Sequence, residues 1–285
     1  MELSVIIVNY HSQQPLMSCL RALATEAISM AHEIVLVDNS PGDGTAEAVA
    51  AQFPSVRVIA NSDNVGFARA VNQGIRATSG ALVLMLNPDC ELRQGALGRL
   101  VTWLGRHLDC AIAGPRILNP DGSLEFSARG YPGALTFLFN RYSLMTRLWP
   151  GNPWSRRYLL SDWDHQSPRD VDWLSGACML VRRAAIDAVG ALDEAFFMFN
   201  EDVDWCRRMN LAGWRVSYVP EAVAVHHIGA SRHRVSSRVI WERHRGMAHY
   251  FRKHHPTVAP LAAMADALIM TRASLMLLQN AFKPQ

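Results

Sequence analysis

Through the first ninety residues, short apolar runs alternate with segments of helical period. "LSVIIVNY" (3–10), "EIVLVDNS" (33–40), "VRVIA" (56–60) and "ALVLMLNPD" (81–89) each read as a strand covered on both faces. Between them lie "SQQPLMSCLRALATEA", "GTAEAVAAQF" and "NVGFARAVNQGIRATSG", which read as helices. Gly80 is expected to cap the third. Strands joined through helices predict an α/β fold with a mostly parallel central sheet. Ligands of such sheets sit outside the carboxyl ends of the strands. Three of those ends are polar: Asn9-Tyr10, Asp38-Asn39-Ser40 and Asn87-Pro88-Asp89.

The later sequence is less regular. "QGALGRLVTWLGRHL" reads as a helix, and Asn119-Pro120-Asp121-Gly122 as a turn. Residues 131–170 read as a loop-rich excursion, and "DWLSGACMLVRR" as a buried strand. "NEDVDWCRRMNLAGW" reads as a helix beginning near Glu201, and "RVSYVPEAVAVHHIGAS" as two short strands.

A net charge of +3 on 285 residues gives no support for a nucleic-acid partner. With 49% apolar and 19% charged residues, a sizeable core can form. Five scattered cysteines without CxxC spacing read as reduced thiols of a cytoplasmic protein. "MELSVIIVNY" reads directly as a strand rather than a leader. No GxGxxG or Walker loop is present, so dinucleotide binding and P-loop ATP hydrolysis lose their main support.

Three groups could carry chemistry. Asp89 is either a turn acid after Pro88 or a carboxylate holding a divalent metal, which could grip a diphosphate. Glu201, Asp202 and Asp204 are either first-turn acids favoured by the helix dipole or a repelling cluster in which one raised pKa suits a general base. His226 and His227 end an apolar strand, and only one of them can face a given side. From His226 to Pro256 there are six Arg, one Lys and seven His against the single acid Glu242.

In order, "SVIIVNY", "VDNS", "NVGFARAVNQGI", "LNPD", "WLSGACMLVRR", "FFMFNEDVDWCRR" and "HHIGAS" resemble an inverting family-2 glycosyltransferase of the GT-A fold. The pattern is most similar to bacterial rhamnosyltransferases acting on polyprenyl-diphosphate-linked GlcNAc. The resemblance implies nucleotide-sugar contacts at Asn9, Tyr10, Asp38, Asn39, Asn64, Gly66, Arg69, Asn72 and Asn87. It implies Mg2+ or Mn2+ held by Asp89 with a histidine from 226–227. The family's Asp-x-Asp is here Asn87-Pro88-Asp89, with an amide in place of one carboxylate. Asp202 is implied as the catalytic base, and Trp173, Gly176 and Glu201 as acceptor-side residues. Trp173 reads equally as core packing.

The implied donor is dTDP-rhamnose and the implied acceptor a lipid-diphosphate-linked saccharide. A UDP-hexose transferase and a nucleotidyltransferase are the enzyme alternatives, and a catalytically dead carbohydrate- or membrane-binding module is a third. "NYHSQQP" after the first strand lacks the glycine- and Arg/Lys-rich loop of a nucleotidyltransferase. Residues 1–257 read as the catalytic domain, with a nucleotide-sugar half (1–110) and an acceptor half (111–257). Residues 258–285 read as an apolar helix interrupted by Asp266 and Arg272. That helix could lie on a membrane, pair with a second subunit as a homodimer, or pack on its own core. The expected location is cytoplasmic and peripheral, on the inner face of the plasma membrane.

Overall fold

A computed structural model describes residues 2–26, 30–133, 136, 144–227, 236–255 and 259–281. The chain opens with β1 (Leu3–Asn9), α1 (Gln13–Thr25), β2 (His32–Asp38), α2 (Thr45–Gln52), β3 (Val56–Ala60), α3 (Phe67–Arg76) and β4 (Leu82–Leu86). Then come β5 (Cys90–Leu92), α4 (Ala96–Arg106), β6 (Cys110–Leu118), β7 (Ala128–Arg129), α5 (Leu144–Leu148) and α6 (Pro153–Leu159). The last third holds β8 (Arg169–Asp170), β9 (Trp173–Leu174), β10 (Cys178–Arg182), α7 (Arg183–Val189), α8 (Glu201–Leu211), β11 (Arg215–His226), α9 (Ser237–His254) and α10 (Ala259–Ala281).

The main sheet runs β3-β2-β1-β4-β10-β6-β11-β5, with β8 also paired to β11. β3, β2, β1 and β4 are mutually parallel, and β6 is parallel to β11. β10 enters antiparallel between β4 and β6. Strands from both sides of residue 110 therefore share one sheet.

Alternation along β1 shows how the sequence builds two cores. Ile6 and Val8 face a layer shared with α3, α7 and α8, while Leu3, Val5 and Ile7 face one shared with α1 and α4. Each fully buried side chain of this kind contributes about 1.5–3 kcal/mol. Buried Glu26, at the end of α1, accepts the Gly95 and Leu97 N–H groups at 2.9 and 2.8 Å. That carboxylate satisfies the open start of α4 and fixes it against α1.

Several local expectations are corrected. Helix α3 stops at Arg76, and Gly80 does not cap it. A Cβ at Gly80 would lie 2.5 Å from the Ser4 nitrogen, so this glycine lets the chain pass β1 closely. β11 is one strand, not two; the interruption at Pro220 is absorbed by a register shift between Val219 and Val223. Beyond the elements expected from pattern are β5, β6, β7, α7 and α9; the 131–170 excursion carries α5, α6 and β8, and the single strand read over "DWLSGACMLVRR" is two, β9 and β10. All five cysteines are free and buried.

Helix α10 buries Ile269, Ala273 and Asn280. Its two interrupting charges face α9: Asp266 meets Arg252 at 3.3 Å, and Arg272 meets His244 at 3.4 Å. Met264, Leu268, Leu275 and Leu278 remain exposed along another stripe. Among the described residues, no helix is long and apolar enough to cross a membrane.

Candidate active site

The sheet order decides what meets at its carboxyl edge. Asn9 ends β1, Asp38 ends β2, and Asn87–Asp89 follow β4. β10 runs the other way, so its start, preceded by Ser175-Gly176-Ala177, lies at that same edge.

At the first two ends a buried polar network forms. The Asn9 side-chain amide donates to Asp38 Oδ1 at 3.0 Å and to Ser40 Oγ at 3.2 Å. Asp38 Oδ1 also accepts the Ser40 N–H. Asn39 is buried, and its Oδ1 accepts from Asn61 at 2.8 Å. Tyr10 is exposed, with its ring 4.4 Å from that of His11. A cavity of about 280 Å³ opens here, lined by Asp38, Ser40, Thr45 and Asn61 among others.

Asn64 and Gly66 form the turn before α3, where the Gly66 N–H donates to Asn64 Oδ1 at 3.0 Å. Gly66 has φ +89, and a Cβ there would lie 2.7 Å from the Phe197 carbonyl oxygen. This turn is thus locked to the chain leading into α8. Two residues expected to line the nucleotide pocket are placed differently. The Asn72 amide is spent on the Leu192 backbone, in both directions, and on Glu194. Arg69 pairs with Glu194 at 3.1 Å. Both tie α3 to the 192–194 segment, because their helical positions face that segment.

The third end holds the acid–imidazole pair. His226 Nε2 lies 3.1 Å from Asp89 Oδ1, and its Nδ1 lies 2.9 Å from Glu125 Oε2. Burial alone would lower the His226 pKa, but these two carboxylates outweigh it and raise it to about 10. His227 is not brought to Asp89: its ring lies 3.6 Å from Glu91, because adjacent strand residues point to opposite sides. Its backbone N–H does donate to the Asp89 carbonyl. Asn87 donates its own N–H to the Ala177 carbonyl at 2.9 Å, joining this tip to the segment before β10.

Among the described residues, no group of three or more His, Cys, Asp or Glu side chains could hold a metal ion unaided. Asp89 and His226 supply one carboxylate and one imidazole on a half-buried tip. That donor set fits a divalent cation whose remaining ligands are diphosphate oxygens and water, not a closed structural site.

Asp202 stands in the first turn of α8. Its Oδ2 accepts from Gly176 N at 3.0 Å, and its Oδ1 from Val203 N at 2.9 Å. Burial raises its pKa; those N–H groups and the Arg129 charge pull it part of the way back. Glu201 is buried, and burial together with the Asp202 charge pushes it well above the usual carboxylate range. A Cβ at Gly176 would come within 3.3 Å of Met85 Cε and 3.6 Å of Asp202 Cβ. The turn into α8 is unusual: Phe199 and Asn200 both take left-handed φ, 66 and 69. Arg243 of α9 lies 4.7 Å over the Phe199 ring, bracing that turn.

Trp173 is only 6% exposed. Its Nε1–H donates to the Gly130 carbonyl, and Arg129 lies 5.2 Å from its ring centroid. Its ring is packed inside the protein rather than presented as an open stacking face. Glu125, which meets His226, and Arg129, whose charge bears on Asp202, are neighbours of the candidate site that the sequence pattern does not reveal. Glu125 sits in the return of the Asn-Pro-Asp-Gly turn, a signal that gives the hairpin but not what the hairpin reaches. For Arg129 the pattern gives no signal. Of the "HHIGAS" motif, residues 228–231 lie outside the described residues, as do Arg232, His233 and Arg234 of the basic stretch. So do 134–135 and 137–143 of the excursion, and 258 and 282–285 of the tail.

The α8 helix is also fixed from behind. Buried Asp204 contacts Arg208 at 2.8 Å, Lys253 at 2.8 Å and His254 at 2.6 Å. Its own burial would raise its pKa, but Lys253, Arg208 and His254 hold it below the usual range.

This arrangement can be set beside known proteins. The family model for glycosyltransferase like family 2 matches residues 2–254. An N-acetylglucosaminyl-diphospho-decaprenol L-rhamnosyltransferase of Mycobacterium tuberculosis is 35% identical over 237 residues, 79% of this chain and 76% of its own. A dTDP-rhamnosyl transferase of Shigella flexneri, RfbF, is 26% identical over 227 residues, 79% of this chain and 68% of its own. The mannosyltransferase PcManGT from Pyrobaculum calidifontis, solved with GDP-Man and Mn2+, shares the fold. It aligns with TM-score 0.61 at 16% identity, over 96% of this chain and 75% of its own. A sheet of this order, with acids gathered at its carboxyl edge and a family match across nearly its whole length, leaves one assignment: the chain belongs to glycosyltransferase family 2 and is an enzyme of the GT-A fold.

Proposed function

We propose that this glycosyltransferase moves L-rhamnose from dTDP-rhamnose to a hydroxyl of a GlcNAc carried on polyprenyl diphosphate, with inversion, in cell-surface polysaccharide assembly. The 35% identity to a rhamnosyltransferase named for that kind of acceptor carries the reading.

The residues present support the chemistry. Asp202 takes the proton from the acceptor hydroxyl as its oxygen attacks the anomeric carbon. The raised pKa brings this carboxylate closer to the range where a general base works, and a positioned base contributes about 10²–10⁴-fold in rate. Gly176 N–H and Val203 N–H hold its two oxygens, so it is aimed before substrate arrives. Asp89 and His226 would hold Mg2+ or Mn2+ against the donor diphosphate. Bound there, the cation would neutralise charge building on the leaving group. Attack from the face opposite the leaving dTDP inverts the anomeric centre. Asn9, Asp38 and Asn39 form a rigid amide-and-carboxylate wall suited to the nucleoside.

A polyprenyl-diphosphate acceptor supports the further reading that the enzyme works peripherally at a membrane surface, on the inner face. The exposed Met264, Leu268, Leu275 and Leu278 stripe, beside the Arg-rich α9, suits contact with anionic headgroups.

Product analysis tests the reading. The enzyme is offered dTDP-rhamnose and UDP-hexoses, each with a synthetic lipid-diphosphate GlcNAc and Mn2+. Rhamnosylated product of inverted anomeric configuration is expected. Turnover with UDP-hexoses alone, or retained configuration, would overturn it.

A further inference from the structure

His226 has two ring nitrogens, and only one of them can meet a cation at Asp89. The other is held by a residue from a different part of the chain. Glu125 lies 101 positions away in sequence, yet its Oε2 is 2.9 Å from His226 Nδ1. Its backbone is fixed on both sides. The Glu125 N–H donates to Ile117 O at 2.9 Å, and the Glu125 carbonyl accepts from Ser127 N at 2.7 Å. The Asn119–Ser123 turn closes the hairpin below it. The Glu125 and His226 side chains are 12% and 10% exposed, while Asp89 is 27% exposed. The imidazole is thus clamped at its inner nitrogen and presents Nε2 toward the more open carboxylate.

We infer that Glu125 is a positioning residue for metal binding: by accepting the His226 Nδ1 hydrogen it fixes the ring so that Nε2 faces a divalent cation shared with Asp89. This rests on the proposed reading of Asp89 and His226 as the cation's ligands. Carboxylates behind ligating histidines orient the ring and raise its basicity, and losing them weakens metal binding by about 10–100-fold.

The test is Mn2+ affinity, read by electron paramagnetic resonance in the presence of dTDP, for the wild type and four variants. Asp89→Ala and His226→Ala should each bind Mn2+ much more weakly. Glu125→Ala should lose about 10–100-fold in affinity, while Glu125→Gln, whose amide oxygen still accepts from Nδ1, should retain most of it. Wild-type affinity in Glu125→Ala alone would overturn the inference and leave the metal site standing. Wild-type affinity in Asp89→Ala and His226→Ala would overturn the site and the inference together. Should Glu125→Ala fail to fold, nitrogen-15 NMR of the Mg2+-loaded wild type decides. His226 protonated at Nδ1 and bare at Nε2 is expected, and the opposite tautomer would overturn the role.

Discussion

Gly176 donates its backbone N–H to Asp202 Oδ2 at 3.0 Å, and the next carbonyl, that of Ala177, accepts from Asn87 N at 2.9 Å. The proposed base and the strand tip that carries Asp89 are thus joined through two consecutive residues, Gly176 and Ala177, just before β10.

Replacing Asp202 by Asn removes the proton acceptor and turns an N–H toward backbone donors. Turnover should fall by about 10²–10⁴-fold, while calorimetric dTDP binding stays unchanged. Undiminished turnover would remove Asp202 from the role of base.

The acid side of the rate profile follows from the same group. Its folded pKa is raised by burial, and the Arg129 charge holds that rise in check. A base works only when unprotonated, so kcat/KM should fall as pH drops through that raised value. Arg129→Leu should move the acid limb to higher pH. A limb that stays in place would show that the charge of Arg129 does not reach Asp202.

Asp204 gives a stability prediction. Its carboxyl is held below the usual range by Lys253, Arg208 and His254 despite burial. A depressed folded pKa stabilises the protein above the unfolded value, near 3.9, and that gain is lost as pH falls through the folded value. Breaking such a buried cluster from one side costs about 3–5 kcal/mol. Asp204→Asn should therefore unfold at lower urea at pH 7, with the gap to wild type narrowing in acid. A constant gap would contradict the linkage.

Gly80→Ala would place a methyl 2.5 Å from the Ser4 nitrogen and 2.6 Å from the Leu3 carbonyl carbon. Overpacking of this kind costs about 1–3 kcal/mol, which a lowered thermal midpoint would report.

The exposed stripe on α10 should govern sedimentation with anionic vesicles. Leu268→Gln, Leu275→Gln and Leu278→Gln together should abolish it, with turnover of a water-soluble acceptor unaffected. Equal partitioning of variant and wild type would count against a membrane role.

The first ninety residues were legible because β-branched runs and helical periods are local signals. Apart from the early end of α3 at Arg76, their strands and helices appear close to where the pattern puts them, and the polar ends of β1, β2 and β4 share an edge. β5 and β6 were harder. Three residues of β5 give no period, and Gly114 and Pro115 interrupt the pattern of β6. The position of Asp202 in a first helical turn was legible from the sequence. The partners of Asn72 and Arg69 were not, because the 192–194 segment reaches them only through tertiary packing. Glu125 was hidden for the same reason: a hairpin can be read from Asn-Pro-Asp-Gly, but not the imidazole it returns to.

Lys253 and His254, at the end of α9, grip the same helix whose first turn aims Asp202, and Arg243 braces the turn before it. The C-terminal helix α9 is therefore a strut for the helix that carries the proposed base. Asp266 and Arg272 of α10 hold α9 through Arg252 and His244, so α10, α9 and α8 form one continuous chain of polar contacts ending at the helix of Asp202.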